Sequence, residues 1–94
     1  MLRIEIDKRG PTEVGLLLAG NFYAADIPEV ARLIEEAHRA GAAVGIDLSA
    51  VRVVDRAAVR FLMKWDARDT AVTECPAWVR EWMLSESRRG GTGK

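Results

Sequence analysis

Apolar and charged residues alternate along the first seven positions of the chain. Leu2, Ile4 and Ile6 are each followed by a charged residue, the period of two that is typical of a strand with one face toward solvent. Residues 8–11 combine charge with glycine and proline and predict a turn. The uninterrupted apolar run at 14–18 then predicts a second strand, buried on both faces and joined to the first as a hairpin.

A helix is predicted after this hairpin. Asp26 and Glu29 have the spacing of a capping box, and Pro28 is tolerated in the first turn of a helix. Gly41 supplies a left-handed termination. Between these signals the apolar residues recur at helical spacing, at Ile27, Val30, Ala31, Leu33, Ile34 and Ala37.

The second half of the chain predicts two more strands and two more helices. Residues 43–48 form a short apolar segment, and because a helix precedes it we expect a strand parallel to the second one. Asp55 can cap a helix that runs from about residue 56 to residue 68. Residues 70–74 predict a fourth strand, and Pro76 suits the first position of a third helix.

The predicted order is therefore β-β-α-β-α-β-α, an α/β fold in which helices pack against a four-stranded mixed sheet. The 94 residues are enough for one core. Because the apolar pattern ends after Ser85, we expect residues 1–86 to form a single domain and residues 87–94 a flexible C-terminal tail.

Charge and cysteine content exclude several classes of function. The chain has 14 basic and 14 acidic residues, so it lacks the net positive charge that attracts nucleic acid or anionic membranes. Its residues 56–94 are nevertheless net positive, and residues 1–55 net negative. One cysteine, no signal peptide and no long apolar segment predict a cytoplasmic protein without membrane insertion.

Two carboxylates, Asp47 and Asp55, are the candidate chemical groups near the carboxyl end of the third strand, where open α/β sheets bind ligands. Together they would suit Mg²⁺-dependent phosphoryl chemistry. The structural interpretation, which we favour, is that Asp55 caps the next helix while Asp47 accepts hydrogen bonds in a turn. Since the chain also lacks a glycine-rich phosphate loop, we expect neither a metal nor a cofactor.

His38 and Cys75 are the remaining candidates for catalysis. His38 is predicted on the first helix without a serine in a nucleophile elbow, so we expect a partly exposed helix residue. Cys75 precedes a predicted helix start, where the helix dipole favours a thiolate. With no second cysteine in the chain, an inert buried thiol is the preferred interpretation.

A cationic stripe recurs every four residues along the second predicted helix, at Arg56, Arg60, Lys64 and Arg68. It is either a solvated outer face or a surface for an acidic protein partner or an anionic headgroup. Among the tryptophans, Trp65 is the better candidate for an exposed interface anchor, whereas Trp78 and Trp82 are predicted in the core.

Three sequence motifs occur in a fixed order along the chain. They are Leu18-Ala19-Gly20 followed by Phe22, Ile46-Asp47-Leu48-Ser49, and Val53-Val54-Asp55 with Val59 and Phe61-Leu62. With these motifs the chain resembles the STAS family, the domain of sulfate transporters and anti-sigma-factor antagonists, over about residues 13 to 84. The resemblance implies a STAS-like α/β fold and a regulatory role exerted through protein–protein interaction.

Regulatory members of that family carry Asp-Ser-Ser-Gly at the turn before the second helix, and a kinase that is also the anti-sigma factor phosphorylates the second serine. Residues 55–58 of this chain read Asp-Arg-Ala-Ala. Asp55 matches, but Ala57 has no hydroxyl and cannot be a phosphoacceptor. The resemblance thus implies a partner-binding surface without the phosphorylation switch, at Asp55, Arg56, Ala57, Ala58, Arg60 and Lys64.

The resulting hypothesis is a non-catalytic regulatory interaction domain that resembles anti-sigma-factor antagonists and binds a regulatory protein such as an anti-sigma factor. One alternative is an accessory STAS subunit that binds the ATPase of a lipid-transporting ABC system. Another is a small Mg²⁺- or nucleotide-dependent enzyme that uses Asp47 and Asp55. No nucleic-acid partner is expected, and a homodimer is retained as a further form of association.

Overall fold

The structure is a computed structural model, and it describes residues 1–65 and 70–92, with side chains to residue 89 in the last helix. The elements confirm the predicted order. They are β1 (Leu2–Gly10), β2 (Glu13–Phe22), a 3-10 turn (Ala24–Asp26), α1 (Ile27–Arg39), β3 (Ala43–Val54), α2 (Arg56–Trp65), β4 (Thr70–Glu74) and α3 (Ala77–Thr92).

The four strands form one sheet in the order β1-β2-β3-β4. β1 is antiparallel to β2, whereas β2 and β3, like β3 and β4, are parallel. The sheet is therefore mixed, as predicted. The predicted fourth strand at Thr70–Glu74 is confirmed with the same bounds.

The hairpin differs from its prediction in two ways. β1 continues through the predicted turn residues to Gly10, so the turn lies at residues 11–12. The second strand is buried on one face only, because Leu16 and Leu18 lie in the core while Leu17 between them is partly exposed. An unbroken apolar run does not reveal which face the helices leave uncovered.

The core lies between the sheet and the three helices. The helices contribute Val30 and Ile34 from α1, Val59 and Leu62 from α2, and Val79 and Met83 from α3. These residues form one cluster with strand residues such as Leu16, Leu18, Ile46 and Leu48. The opposite face of the sheet, called the open face below, bears the alternate residues of each strand.

β3 is twice as long as predicted, since it continues past residue 48 to Val54. Its register with β2 shifts twice, between Leu17 and Ala19 and between Gly20 and Asn21. Each irregularity adds one residue to β3, so that Val51 and Val54 point into the core at a spacing of three residues instead of two. That spacing concealed the second half of the strand in the sequence pattern.

The predicted capping box of α1 is wrong. Asp26 adopts helical backbone angles and makes no side-chain hydrogen bond to its own helix; its carboxylate accepts the Tyr23 N–H at 3.0 Å instead. The preceding 3-10 turn shifts Asp26 away from the extended conformation that an N-cap requires. At the other end of α1, Gly41 has a φ of 82°, which confirms the predicted left-handed termination.

The last helix is longer than the sequence pattern indicated. α3 continues to Thr92, whereas a flexible tail was predicted from residue 87. The domain boundary at residue 86 remains a prediction, and residues 93–94 lie outside the described part. In the described segments, no helix has both the length and the apolar content to cross a membrane.

Candidate docking surface at the start of α2

Asp55 fixes the backbone at the start of α2. Its Oδ1 accepts the Ala58 N–H and its Oδ2 accepts the Ala24 N–H, both at 2.9 Å. The Asp55 N–H donates to the Phe22 carbonyl at 3.3 Å. These bonds confirm the predicted helix cap and also join α2 to the end of β2, so Asp55 positions the turn and both of its carboxylate oxygens are already engaged.

Replacing Asp55 by alanine is expected to lower the free energy of unfolding by about 1–3 kcal/mol, because a helix cap and a second hydrogen bond are lost together. Asp55→Asn should lose less, since its carbonyl oxygen can still accept the Ala58 N–H while its amide cannot accept the Ala24 N–H. Urea denaturation measures both values. If the alanine variant were as stable as the native chain, the hydrogen bonds of Asp55 to Ala58 and Ala24 would not stabilise the fold.

Glu86 of α3 lies among three arginines, two of which belong to the cationic stripe of α2. Its carboxylate is buried and lies 3.0 Å from Arg56 Nε, 3.3 Å from Arg60 Nε and 3.8 Å from Arg89 Nη1. The arginine side chains are each at least half exposed. Three cations thus surround one carboxylate, and the cluster keeps a net positive charge at the surface.

Glu86 was not predicted as a functional residue, because it lies at the end of the apolar pattern, 30 residues from Arg56. The spacing of Val79, Met83 and Glu86 on one face of α3 was the available signal. These contacts tie the second half of α3 to α2 and explain why the helix persists where a tail was predicted.

The Arg56 guanidinium lowers the pKa of Glu86 through a hydrogen bond and its charge, and bonds from Arg60 and Trp82 act in the same direction. Burial acts in the opposite direction but does not reverse the effect. A carboxyl group with a lowered pKa in the folded state stabilises the fold at pH values above its unfolded pKa, ordinarily about 4.3.

The contribution of Glu86 to stability is therefore expected to be complete at neutral pH and to disappear as the pH falls through the lowered pKa. The matched control is Glu86→Gln, which has the same shape and no titration. The stability difference between native chain and variant, measured by urea denaturation, should shrink from pH 7 toward pH 3. A difference independent of pH would mean that the carboxylate charge is not what Arg56 and Arg60 stabilise.

Four of the six predicted partner-binding residues lie exposed on α2: Arg56, Ala57, Arg60 and Lys64. Ala58 does not, since it is completely buried in the core, and a partner cannot contact its side chain. The reason is the geometry of the first turn, which directs residue 58 inward together with Val59. Arg68 lies outside the described residues.

Two exposed apolar residues lie next to the turn that Asp55 caps and were not predicted. Tyr23 is 39% exposed and Val53 42% exposed. Tyr23 precedes the amide that Asp55 binds, and Val53 pairs with Asn21 at the carboxyl end of the sheet. We define the docking surface as Arg56, Ala57, Arg60, Lys64, Tyr23 and Val53.

The core prediction is wrong for Trp78, and Trp65, the candidate for an exposed anchor, is not exposed. Trp65 is partly buried, with its ring centroid 5.9 Å from that of His38 and 6.2 Å from that of Phe61. Trp78, predicted in the core, is 42% exposed, while Trp82 packs partly against the core. Trp65 is covered because α1 brings His38 over it, a contact that helical periodicity within α2 does not contain.

Asp47 lies within β3 and not at its end, because the strand continues to Val54. Its Oδ1 accepts the Ser49 N–H at 2.9 Å and the Ser49 hydroxyl at 2.7 Å. Asp47 is therefore an acceptor as predicted, but the predicted turn is wrong, because residues 47–49 are part of the strand. In residues 1–65 and 70–92, no group of three His, Cys, Asp or Glu side chains could hold a metal ion. Asp47 and Asp55 thus each bind groups of the chain itself through their carboxylates.

His38 and Cys75 both have structural partners. The His38 ring lies 3.0 Å from the Thr70 hydroxyl and is partly exposed, as predicted. Cys75 is partly buried against the core, and its thiol lies 3.6 Å from the Pro76 carbonyl.

One mixed sheet with three helices on one face is also the fold of SpoIIAA, an anti-sigma factor antagonist whose structure is known in the unphosphorylated form. The two structures superpose with a TM-score of 0.65 and 11% sequence identity, over 98% of this chain and 100% of SpoIIAA. A protein of the DUF3478 family from Shewanella loihica, with a SpoIIAA-like fold, matches with a TM-score of 0.53 and 17% identity over 69% of this chain and 54% of that one.

The chain belongs to the STAS family whose model is described as "Mlab, STAS domain", which matches residues 7–84. No curated protein matches the sequence. Family and fold thus confirm the resemblance inferred from the motifs around Leu18, Asp47 and Asp55.

Proposed function

We propose that this chain is a non-catalytic regulatory interaction domain that binds an acidic surface of a partner protein through its docking surface. The observation that carries the proposal is the exposed Ala57 at the first turn of α2, beside arginines that Glu86 holds in place. A small side chain lets a partner backbone approach closely, and fixed cations beside it favour carboxylates.

The electrostatics of α2 support an acidic partner. The first turn of the helix contains no acidic residue, and both carboxylate oxygens of the capping Asp55 are engaged by backbone N–H groups. Arg56 and Arg60 add charge on the same side, and their shared carboxylate offsets only part of it. Lys64 extends the exposed cationic surface by one more turn.

The apolar part of the docking surface supports a protein as the partner. Tyr23 and Val53 expose apolar area at the carboxyl end of the sheet. Aromatic residues and arginines are both enriched in protein interfaces, and the docking surface contains both residue types. We place this interaction in the cytoplasm, with an anti-sigma factor or a related regulator as the partner.

The absence of a hydroxyl at Ala57 has a regulatory consequence. A phosphate at this position would oppose an acidic partner, and alanine cannot carry one. Association is therefore governed by the concentrations of the two proteins and not by phosphorylation of this turn.

The absence of a phosphoacceptor at Ala57 also supports a second candidate function. A surface without a release switch also suits a permanent subunit, such as the accessory STAS subunit of a lipid-transporting ABC system. The two functions are distinguished by the protein that co-purifies with the native chain: an ATPase for the transporter subunit, a kinase-like regulator for the antagonist.

Reversal of one charge on the docking surface tests the proposal. Lys64→Glu is the variant of choice, because the alternative Arg60→Glu would place a carboxylate beside the buried Glu86. We expect the partner captured by the native chain to be lost with Lys64→Glu and retained with Lys8→Glu, a matched change on exposed β1. Unchanged recovery with Lys64→Glu, measured by quantitative pull-down, would refute the surface assignment.

A further inference from the structure

β1 is an edge strand whose outer backbone groups have no partner strand among the four that the structure describes. The Met1 carbonyl accepts the Asn21 N–H at 3.3 Å, so odd-numbered residues of β1 direct their N–H and carbonyl groups toward β2. Because this direction alternates along a strand, Leu2, Ile4 and Ile6 direct theirs outward.

The side chains of β1 alternate between two faces. Leu2 and Ile4 lie partly buried on the helix side, and Ile6 follows them with 56% of its surface exposed. On the open face, Arg3 and Glu5 are exposed and carry opposite charges. Charged residues on an edge strand ordinarily prevent pairing with another chain, but charges of alternating sign can also select one register.

We propose that a second copy of this chain pairs with β1 in an antiparallel arrangement centred on Ile4. In this register Ile4 lies opposite Ile4, Leu2 lies opposite Ile6, and Arg3 lies opposite Glu5 on both sides of the two-fold axis. The outward-pointing residues of both copies then face each other, so their N–H and carbonyl groups form hydrogen-bonded pairs. The two sheets join into one, with all helices on the same face.

The charges disfavour the neighbouring registers. A pairing centred on Ile6 would place Arg3 opposite Arg9 and Glu5 opposite Asp7, and like charges directly opposite each other destabilise a sheet. A pairing centred on Glu5 would place that carboxylate against its own copy. Of these three registers, only the one centred on Ile4 places both charged residues of the segment 2–6, Arg3 and Glu5, opposite a residue of opposite charge.

The same register covers the exposed apolar residue of the edge. Ile6 of each copy packs against Leu2 of the other on the helix side, where Leu2 and Ile4 already contact the core. The segment at residues 2–6 precedes the part of the chain that the family model matches, which begins at residue 7. The interface uses none of the docking-surface residues, so this inference is independent of the proposed function.

Sedimentation velocity over a concentration series tests the pairing. The native chain is expected to dimerise reversibly. Arg3→Glu places Glu opposite Glu5 twice, and Glu5→Arg places Arg opposite Arg3 twice, so each variant alone should dimerise about tenfold more weakly or worse. An equimolar mixture of the two variants should form heterodimers, and the double variant with both substitutions should dimerise like the native chain.

Thermal unfolding of each variant shows whether the monomer itself is intact, which is expected because both residues are exposed. A native chain that stays monomeric up to its solubility limit would overturn the proposal. So would a dimer that persists unchanged in Arg3→Glu, or a variant mixture that stays monomeric.

Discussion

Truncation of Phe22 to alanine is expected to lower the free energy of unfolding by about 3–5 kcal/mol, the usual cost of removing a buried phenylalanine. Phe22 is completely buried at the end of β2. Its ring meets that of Phe61 edge to face, with centroids 5.9 Å apart and planes at 85°. Because a chain of this size has a single small core, such a loss removes a large fraction of the total stability.

The Phe22 variant should also loosen the start of α2, since the Phe22 carbonyl accepts the Asp55 N–H. Chemical denaturation gives the change in stability. Val53→Ala is the matched control on the neighbouring strand, where the side chain is partly exposed, and it should change stability by about 0.5 kcal/mol or less. A Phe22→Ala variant as stable as Val53→Ala would contradict the assignment of the core.

Ala57→Asp is expected to weaken partner binding by about a hundredfold while the fold becomes slightly more stable. A carboxylate at the first turn interacts favourably with the helix dipole, by about 0.3–1 kcal/mol. The same charge repels an acidic partner, and like charges at an interface cost several kcal/mol. Titration calorimetry with the captured partner and urea denaturation measure the two effects separately.

Ala57→Asn is the control for this prediction, because asparagine has the shape of aspartate without its charge. It should keep most of the affinity that Ala57→Asp loses. Equal losses in the two variants would show that size, and not charge, is decisive at position 57. If Ala57→Asp bound the partner as tightly as the native chain, position 57 would not be part of the interface.

Much of the fold could be predicted from local patterns. The alternation along β1, the helical spacing in α1 and the glycine at its end each report a local conformation, and the order of elements followed from them. Asp55 was recognised as a helix cap because a cap depends on neighbours within three residues. The mixed sheet followed from the connections, because a helix between two strands makes them parallel and a short turn makes them antiparallel.

The features that the sequence could not predict depend on contacts between distant residues. The irregular register of β3 places Val51 and Val54 in the core at a spacing that resembles neither a strand nor a helix. Trp65 is covered by His38 of α1. Glu86 was predicted as the last residue of the domain. In the structure it is the buried ion-pair partner of Arg56 and Arg60 in the first half of α2.

These distant contacts change the interpretation of the cationic stripe. As a sequence pattern, it was explained more simply by a solvated helix face. In the structure, Glu86 holds Arg56 and Arg60 beside the exposed Ala57. Cations with restricted side chains lose less conformational freedom on binding than freely rotating ones, which favours the interpretation as a binding surface.

Site-specific photo-crosslinking tests the central claim most directly. A photo-reactive amino acid replaces Ala57 at the start of α2 in one variant and Ala71, an exposed alanine on the open face of β4, in the other. We expect a covalent adduct with the captured partner from position 57 and none from position 71. Adducts from position 71 alone, or equal yields from both positions, would contradict this claim.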